Sequence, residues 1–367
     1  MDFSLNEFQS MLADSVEKFV TNEYDFESRQ AHAASDAGYS ADVWQTFCEL
    51  GWTAIPFAES DGGLDGGPIE TMLLMQQFGR GLIVEPYLAN VVLAGGVLRR
   101  LANEAQKAQW LQPMIGGELQ TALAFVEPQS RYEIDDIQTT AVADGDGWRL
   151  SGTKSVVLNG GNADVLIIPA IADGVSLFAI AADAEGVTRK VYPTVDGSSA
   201  ADIVLDNVHV DANALLGETG NAMPTLEAVI DDATLAVCAE AVGIMQCLTD
   251  KTVEYSKSRV QFGVPIGTFQ ALQHRMVDML TASEQSYSLL LWATMASADK
   301  TVEAKRAVNS IKYQIGTAGK LVGQEAVQLH GGMGMSWEFD VGHYFKRLTV
   351  IGQMLGNADW HLDKLAS

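Results

Sequence analysis

The chain has 367 residues, enough for two or three domains with a substantial core. Hydrophobic residues make up 47% and charged residues 19%; 47 Asp and Glu against 23 Lys and Arg give a formal charge of -24. That balance excludes nonspecific nucleic-acid or anionic-membrane binding, and it makes recognition of any anion depend on a few placed cations. Three cysteines, Cys48, Cys238 and Cys247, show no metal or redox spacing, and the last two fall in an apolar helical run as small core residues. The N-terminus lacks a signal peptide's basic start and apolar run, and no stretch reaches the length of a membrane span, so the expected compartment is the cytoplasm.

Residues 1–120 read as helical. Phe3, Leu5, Phe8, Leu12, Val16 and Phe19 form one apolar stripe, and Val43, Phe47 and Leu50 continue it. The glycine-rich segment Ile55 to Gly67 is a loop, after which helical periodicity returns over Thr71 to Arg80 and Asn90 to Ala108. Residues 121–216 change character. Short β-rich runs (121–126, 139–142, 148–151, 165–169, 177–181, 201–205 and 208–210) are separated by turn pairs such as Asp146-Gly147, Asn159-Gly160 and Asp196-Gly197. Antiparallel strands at this spacing predict a small β-barrel or sandwich. No GxGxxG follows a strand, which excludes a dinucleotide-binding parallel sheet. Residues 217–367 are helical again. Long helices are expected over 224–257, 268–298 and 302–329, the third stopped by His330-Gly331-Gly332, with a shorter one after Gly356. Such helices with short connections predict a four-helix bundle. The fold class is α+β: helical domain, β domain, helical bundle.

The stretch Arg259 to Met279 carries the densest chemistry. Arg259 precedes Gln261-Phe262-Gly263, a Val-Pro-Ile-Gly turn follows, and Phe269 and Gln270 open a helix. Arginine's planar fork suits a pyrophosphate, while Gln and Phe supply an amide and an aromatic face. The structural alternative is a corner in which Arg259 caps a helix C-terminus and Phe262 plugs the core.

The order of the three segments, with Arg259 to Met279 and Gln328 to Met335 (QLHGGMGM) in the last, resembles the acyl-CoA dehydrogenase family over the whole chain. The Gly51 to Gly67 segment, Glu127-Pro128, Gly152-Thr153-Lys154 with Asn159-Gly160, and Val208 to Gly217 add to the match. The resemblance implies α,β-dehydrogenation of an acyl-CoA thioester. A carboxylate removes the α proton, the β hydrogen leaves as hydride to FAD, and an electron-transfer flavoprotein is the acceptor. It assigns the ADP portion of FAD to Arg259, Val260, Gln261 and Phe262, to Phe269 and Gln270, and to Gln328, Leu329, His330, Gly331 and Gly332. In the family this set serves a neighbouring subunit's FAD.

Three flavin-ring positions depart from the family: a threonine is Val126, the tryptophan over the flavin is Val156, and a second threonine is Leu158. The base positions depart as well. The family's glutamate falls on Leu355, before Gly356, or, in other members, on Ala233; an arginine that helps hold CoA is Thr234. Asp231 and Asp232 read first as dipole partners or solvated charges in a helix's first turns; Asp232 is the secondary candidate for a replacement base, although it points roughly 100° away around the helix. Two functions follow. The chain is a non-catalytic partner of a related catalytic chain, lending FAD-binding residues in trans. In this it is similar to the small subunit of pimeloyl-CoA dehydrogenase-like enzymes or of steroid side-chain heteromers. Alternatively it is a complete homo-oligomeric enzyme with a relocated base. No metal site is expected, and the acyl-CoA is not specified.

Overall fold

The structure is a computed structural model and describes residues 4–366. Phe3, the first residue of the expected apolar stripe, lies outside the described residues. Helices α1 (Glu7–Asn22), α2 (Phe26–Ala33), α3 (Ala41–Glu49) and α4 (Pro68–Gly81) come first. A π-helical stretch, Leu88–Ala94, runs into α5 (Gly95–Leu101); α6 (Glu104–Gln106), a second π-helical stretch and α7 (Gln112–Ile115) follow. Eight strands occupy the middle: β1 (Thr121–Leu123), β2 (Thr140–Asp144), β3 (Gly147–Leu158), β4 (Val165–Ile171), β5 (Val175–Ala181), β6 (Val187–Pro193), β7 (Ser199–Val210) and β8 (Leu215–Leu216). Then come α8 (Met223–Ser258), the hairpin β9 (Val260–Gln261) and β10 (Val264–Pro265), α9 (Gln270–Ala298), α10 (Ala304–His330), α11 (Val341–Ile351) and α12 (Ala358–Ala366).

The chain forms two compact units. One comprises residues 4–31, 67–83 and 234–366. Here α1 starts on a capping box between Asn6 and Gln9, and buries Leu12, Val16 and Phe19; Leu5 and Phe8 of the expected stripe stay exposed. The Gln9 amide donates to Glu70 on α4 at 2.7 Å. Helices α4 and α8 cross at glycines. A methyl group on Gly79 would stand 2.0 Å from the Glu240 carbonyl oxygen, and one on Gly243 1.8 Å from that of Gln76. Helix α10 packs against α9, α11 and α12. Lys312, fully buried on α10, donates to the Gly356 carbonyl at 2.6 Å, and His361 bridges the Leu355 carbonyl and the Asn309 side chain. Arg347 of α11 grips Glu240 of α8 with a two-pronged contact at 2.5 and 2.8 Å.

The other unit comprises His32–Gly66 and Val84–Ala233. Its strands run β6-β7-β3-β2-β4-β5-β8, with β1 paired in parallel to β4. Residues from β1 to β7, among them Ala122, Leu150, Ile168, Phe178 and Ile203, share one core, so the sheet curls about it as the barrel expectation required. The two runs 201–205 and 208–210 are one strand, β7, and β3 extends to Leu158 through two bulges. Glu127 and Lys154 lie buried beneath β3. The Lys154 ammonium donates to Glu127 and to the Pro169 carbonyl, both at 2.7 Å. The carboxylate also accepts from the Thr139 hydroxyl at 2.6 Å and from the Gln138 and Thr139 amides. Burial alone would raise the Glu127 pKa, but Lys154 and the Thr139 hydroxyl hold it at about 2. Burial pulls Lys154 down to about 8, so the pair is ionised at neutral pH.

Removing either partner leaves a buried charge alone, so Lys154→Met lowers stability by ~3–5 kcal/mol at pH 7, read as a drop in the urea midpoint. Glu127 titrates lower folded than unfolded; its contribution is therefore complete above about pH 4.5 and is lost as pH falls toward 2. Chemical denaturation across that window shows a shallower acid dependence in Glu127→Gln. Gly243→Ala forces α4 and α8 apart and costs about 1–3 kcal/mol by the same measurement.

Candidate functional site

The stretch singled out in the sequence forms an outward corner of the first unit. Helix α8 ends at Ser258, and the Arg259 amide still donates to Tyr255 at 2.8 Å, closing the last turn. Strands β9 and β10 pair Val264 with Gln261 and Pro265 with Val260, and the Ile266 amide donates to the Arg259 carbonyl at 2.8 Å. The two residues between them, Phe262 (φ 54°) and Gly263 (φ 82°), are both left-handed, the backbone of a tight hairpin turn. Gly263 adopts this freely, whereas Phe262 does so at a cost. The Phe262 side chain is 92% exposed, which excludes the alternative in which it plugs the core. Its ring meets Phe269 edge-on at 6.2 Å. The helix expected from Thr268 begins at Gln270, after a short 3-10 turn, with Phe269 as its N-cap and no side chain satisfying its first amides. An open helix N-terminus offers donors to an anion.

Charge singles out the same corner. Residues 255–277 contain no Asp or Glu, in a chain with 47 of them. Of the cations there, Lys257 pairs with Glu254 and Arg275 with Glu325. Among the described residues no carboxylate pairs with the Arg259 guanidinium.

The second segment ends α10. Gln328 is exposed, while Leu329 and His330 turn their side chains into the core. Gly331 (φ 60°) and Gly332 follow in a short turn, and a methyl group on either would meet no atom within 4 Å. This is open backbone a ligand can approach closely. Tyr255 joins the segments, its ring lying 4.4 Å from that of His330. Arg259, Val260, Gln261, Phe262, Phe269, Gln270, Gln328, Gly331 and Gly332 are thus solvent-facing, whereas Leu329 and His330 offer backbone alone.

The positions that the resemblance links to a flavin ring lie in the second unit. Val156 stands at a bulge of β3, half-exposed and left-handed (φ 52°). Its amide donates to Asp202 at 3.2 Å, which also accepts from the Tyr192 hydroxyl at 2.8 Å. Burial and that carboxylate push Tyr192 up to about 12. Val126 and Leu158 are half-buried. None of the three side chains donates or accepts a hydrogen bond, and none is aromatic.

The base positions are apolar in place as well as in sequence. Leu355 is left-handed (φ 56°) before Gly356, and its carbonyl is held by His361 at 2.9 Å. Ala233 is fully buried and Thr234 nearly so. Asp232 is engaged elsewhere, because one of its oxygens accepts from Arg99 and Arg100, both at 2.7 Å. A carboxylate gripped by two guanidiniums is placed as a counter-ion, with that oxygen already occupied. Sequence reasoning had no access to this clamp, whose partners lie more than a hundred residues apart. No group of three or more His, Cys, Asp or Glu could hold a metal among the described residues, and no described helix is long and apolar enough to cross a membrane.

Comparison with known proteins matches this arrangement along the chain. Residues 6–118 match the acyl-CoA dehydrogenase N-terminal domain, 122–208 the middle domain and 224–367 the C-terminal domain. A probable acyl-CoA dehydrogenase of Bacillus subtilis, YngJ, is 29% identical over 367 residues, covering 96% of each chain. Among solved structures, the ChsE4-ChsE5 complex from Mycobacterium tuberculosis superposes with a TM-score of 0.92 at 26% identity, covering 100% of this chain and 98% of that one. PigA with FAD and proline gives 0.93 at 25%, covering 100% and 98%. With its N-terminal helical, middle β and C-terminal helical domains in this order, the chain belongs to the acyl-CoA dehydrogenase family.

Proposed function

We propose that this chain is the non-catalytic partner subunit of a heteromeric, FAD-dependent acyl-CoA dehydrogenase and contributes to the neighbouring subunit's FAD site in trans. The observation that carries the reading is selective. Arg259, with no carboxylate partner among the described residues, the exposed hairpin and the open Gly331-Gly332 backbone fit a diphosphate with a flat ring system, and all face outward. The positions for a flavin ring and for a base carry Val126, Val156, Leu158, Leu355 and Ala233, which fit neither role. A chain drifting without function would not lose one set and keep the other.

When bound, FAD supplies the hydride acceptor for acyl-CoA oxidation. This chain's residues do the holding. Arg259 neutralises phosphate charge, the α9 N-terminus and Gly331-Gly332 present amides, Gln261, Gln270 and Gln328 add amide contacts, and Phe262 and Phe269 present aromatic faces. Val260 forms the hairpin edge, and Leu329 and His330 take part through backbone. The partner is a related chain with an intact base, and the two-chain ChsE4-ChsE5 complex supports that kind of assembly. The acyl-CoA binds chiefly to that partner, and electrons pass to an electron-transfer flavoprotein in the cytoplasm. We take the domain limits as 1–120, 121–216 and 217–367.

The test is to purify the chain alone and co-expressed with a catalytic relative encoded beside it. The lone chain is expected to lack flavin absorbance and acyl-CoA oxidation with an artificial acceptor, while the pair has both. Arg259→Ala lowers the flavin content of the pair; the loss of one charge-assisted contact weakens binding roughly tenfold or more. Full flavin and turnover in the lone chain overturn the proposal in favour of a complete homo-oligomeric enzyme.

A further inference from the structure

We infer that Tyr255 is a positioning residue that sets the two halves of this cradle at one distance, with the His330 ring as the plate it is set against. This rests on the reading of the cradle given above. Tyr255 lies one helical turn before Arg259, and its carbonyl accepts the Arg259 amide at 2.8 Å, so its placement fixes where the hairpin leaves α8. His330 is the last residue of α10 and immediately precedes the open Gly331-Gly332 pair. The two rings lie 4.4 Å apart at 32°, and Phe339 closes the cluster at 5.4 Å from His330 and 6.5 Å from Tyr255. Helix ends fray, and here two of them carry the ligand-facing backbone. The aromatic contact is what ties one end to the other.

The chemistry of His330 fits a plate. Its Nδ1 is spent on the Ala326 carbonyl at 2.8 Å, and its Nε2 is buried with no hydrogen-bond partner among the described residues. Burial pulls its pKa below the ordinary imidazole range. The Ala326 carbonyl and Asp340 oppose this, and Lys251, itself paired with Asp340 at 2.8 Å, assists it. Neither nitrogen reaches the outer surface. The Tyr255 hydroxyl donates to the His330 carbonyl only at 3.5 Å, the outer limit for such a bond, so the ring contact carries the join.

The experiment titrates FAD into the flavin-stripped pair of this chain and its catalytic relative, with assembly followed by sedimentation. Tyr255→Phe and His330→Phe keep the rings and are expected to bind FAD as the unaltered pair does. Tyr255→Leu and His330→Ala are expected to bind roughly five- to tenfold more weakly while the pair stays assembled. Unchanged affinity in Tyr255→Leu overturns the inference. So does a loss in His330→Phe, which would mean that the nitrogens matter, or a loss of affinity that merely follows loss of assembly. If Arg259→Ala leaves FAD affinity unchanged, the cradle reading itself has failed, whatever the Tyr255 variants show.

Discussion

Left-handed backbone at residues other than glycine is the constraint on which the candidate sites depend. Such conformations cost about 1–3 kcal/mol each and persist only where the surroundings over-determine them. Phe262, Val156 and Leu355 all adopt one, and Val156 is the only β-branched residue that does so among those described. Each is held from both sides. Phe262 is pinched between the paired strands β9 and β10. Val156 lies between the buried Lys154, ion-paired to Glu127, and the buried Val157, with Asp202 taking its amide. Leu355 has its own carbonyl on His361 and the next one on Lys312. The buried polar groups in both units therefore do more than satisfy one another: they fix the direction of a neighbouring side chain.

That separation of backbone from side chain explains an otherwise odd combination. The bulge at residue 156 projects an outward side chain, yet the side chain is valine. The corner at 355 is clamped by a fully buried lysine and a buried histidine, yet it presents a leucine. A polar clamp that is removed piecemeal leaves unpaired buried groups, which costs more than keeping it. Exposed or half-exposed side chains are replaced at little cost to stability. Under the partner-subunit proposal, change at such sites therefore alters side chains and leaves the frame standing. The hairpin at 259–265 differs, because there an exposed frame carries polar and aromatic side chains.

Much of the fold was legible because helices and core strands declare themselves by period. The long helices α8, α9 and α10 stand within one or two residues of their expected limits, the two-residue shifts falling at the start of α9, where a 3-10 turn precedes it, and at the start of α10. The misses have physical causes. Strand β6 alternates polar and half-buried residues, with Arg189 and Lys190 guarding a sheet edge, and so lacks an apolar signal. Helix α11 carries Val341, Gly342, Thr349, Val350 and Ile351, poor helix formers held by burial of Val341, Tyr344, Leu348 and Ile351. The run from Asn90 to Ala108 is broken at Ala102, where Asn103 caps a new helix. In the site, residue types and order were legible, but pairing was not. Asp232 was the last acid near a base position in sequence, and only its contact with Arg99 and Arg100 reveals it as a counter-ion.

The same logic of pairing gives Arg259 its weight. In a chain of net charge -24, carboxylates outnumber cations two to one, and surface arginines find partners readily. Arg80, Arg99, Arg100, Arg149, Arg275 and Arg347 do, whereas Arg131, Arg189 and Arg306 pair with no carboxylate among the described residues. Arg259 meets none among the described residues, because the stretch 255–277 around it contains no acid. A solvated surface charge needs no such clearing around it. An arginine reserved for an external anion does, since a resident carboxylate would compete with the phosphate for the same planar fork. In the proposed function, exclusion of acids rather than enrichment of bases keeps this corner open for an anion.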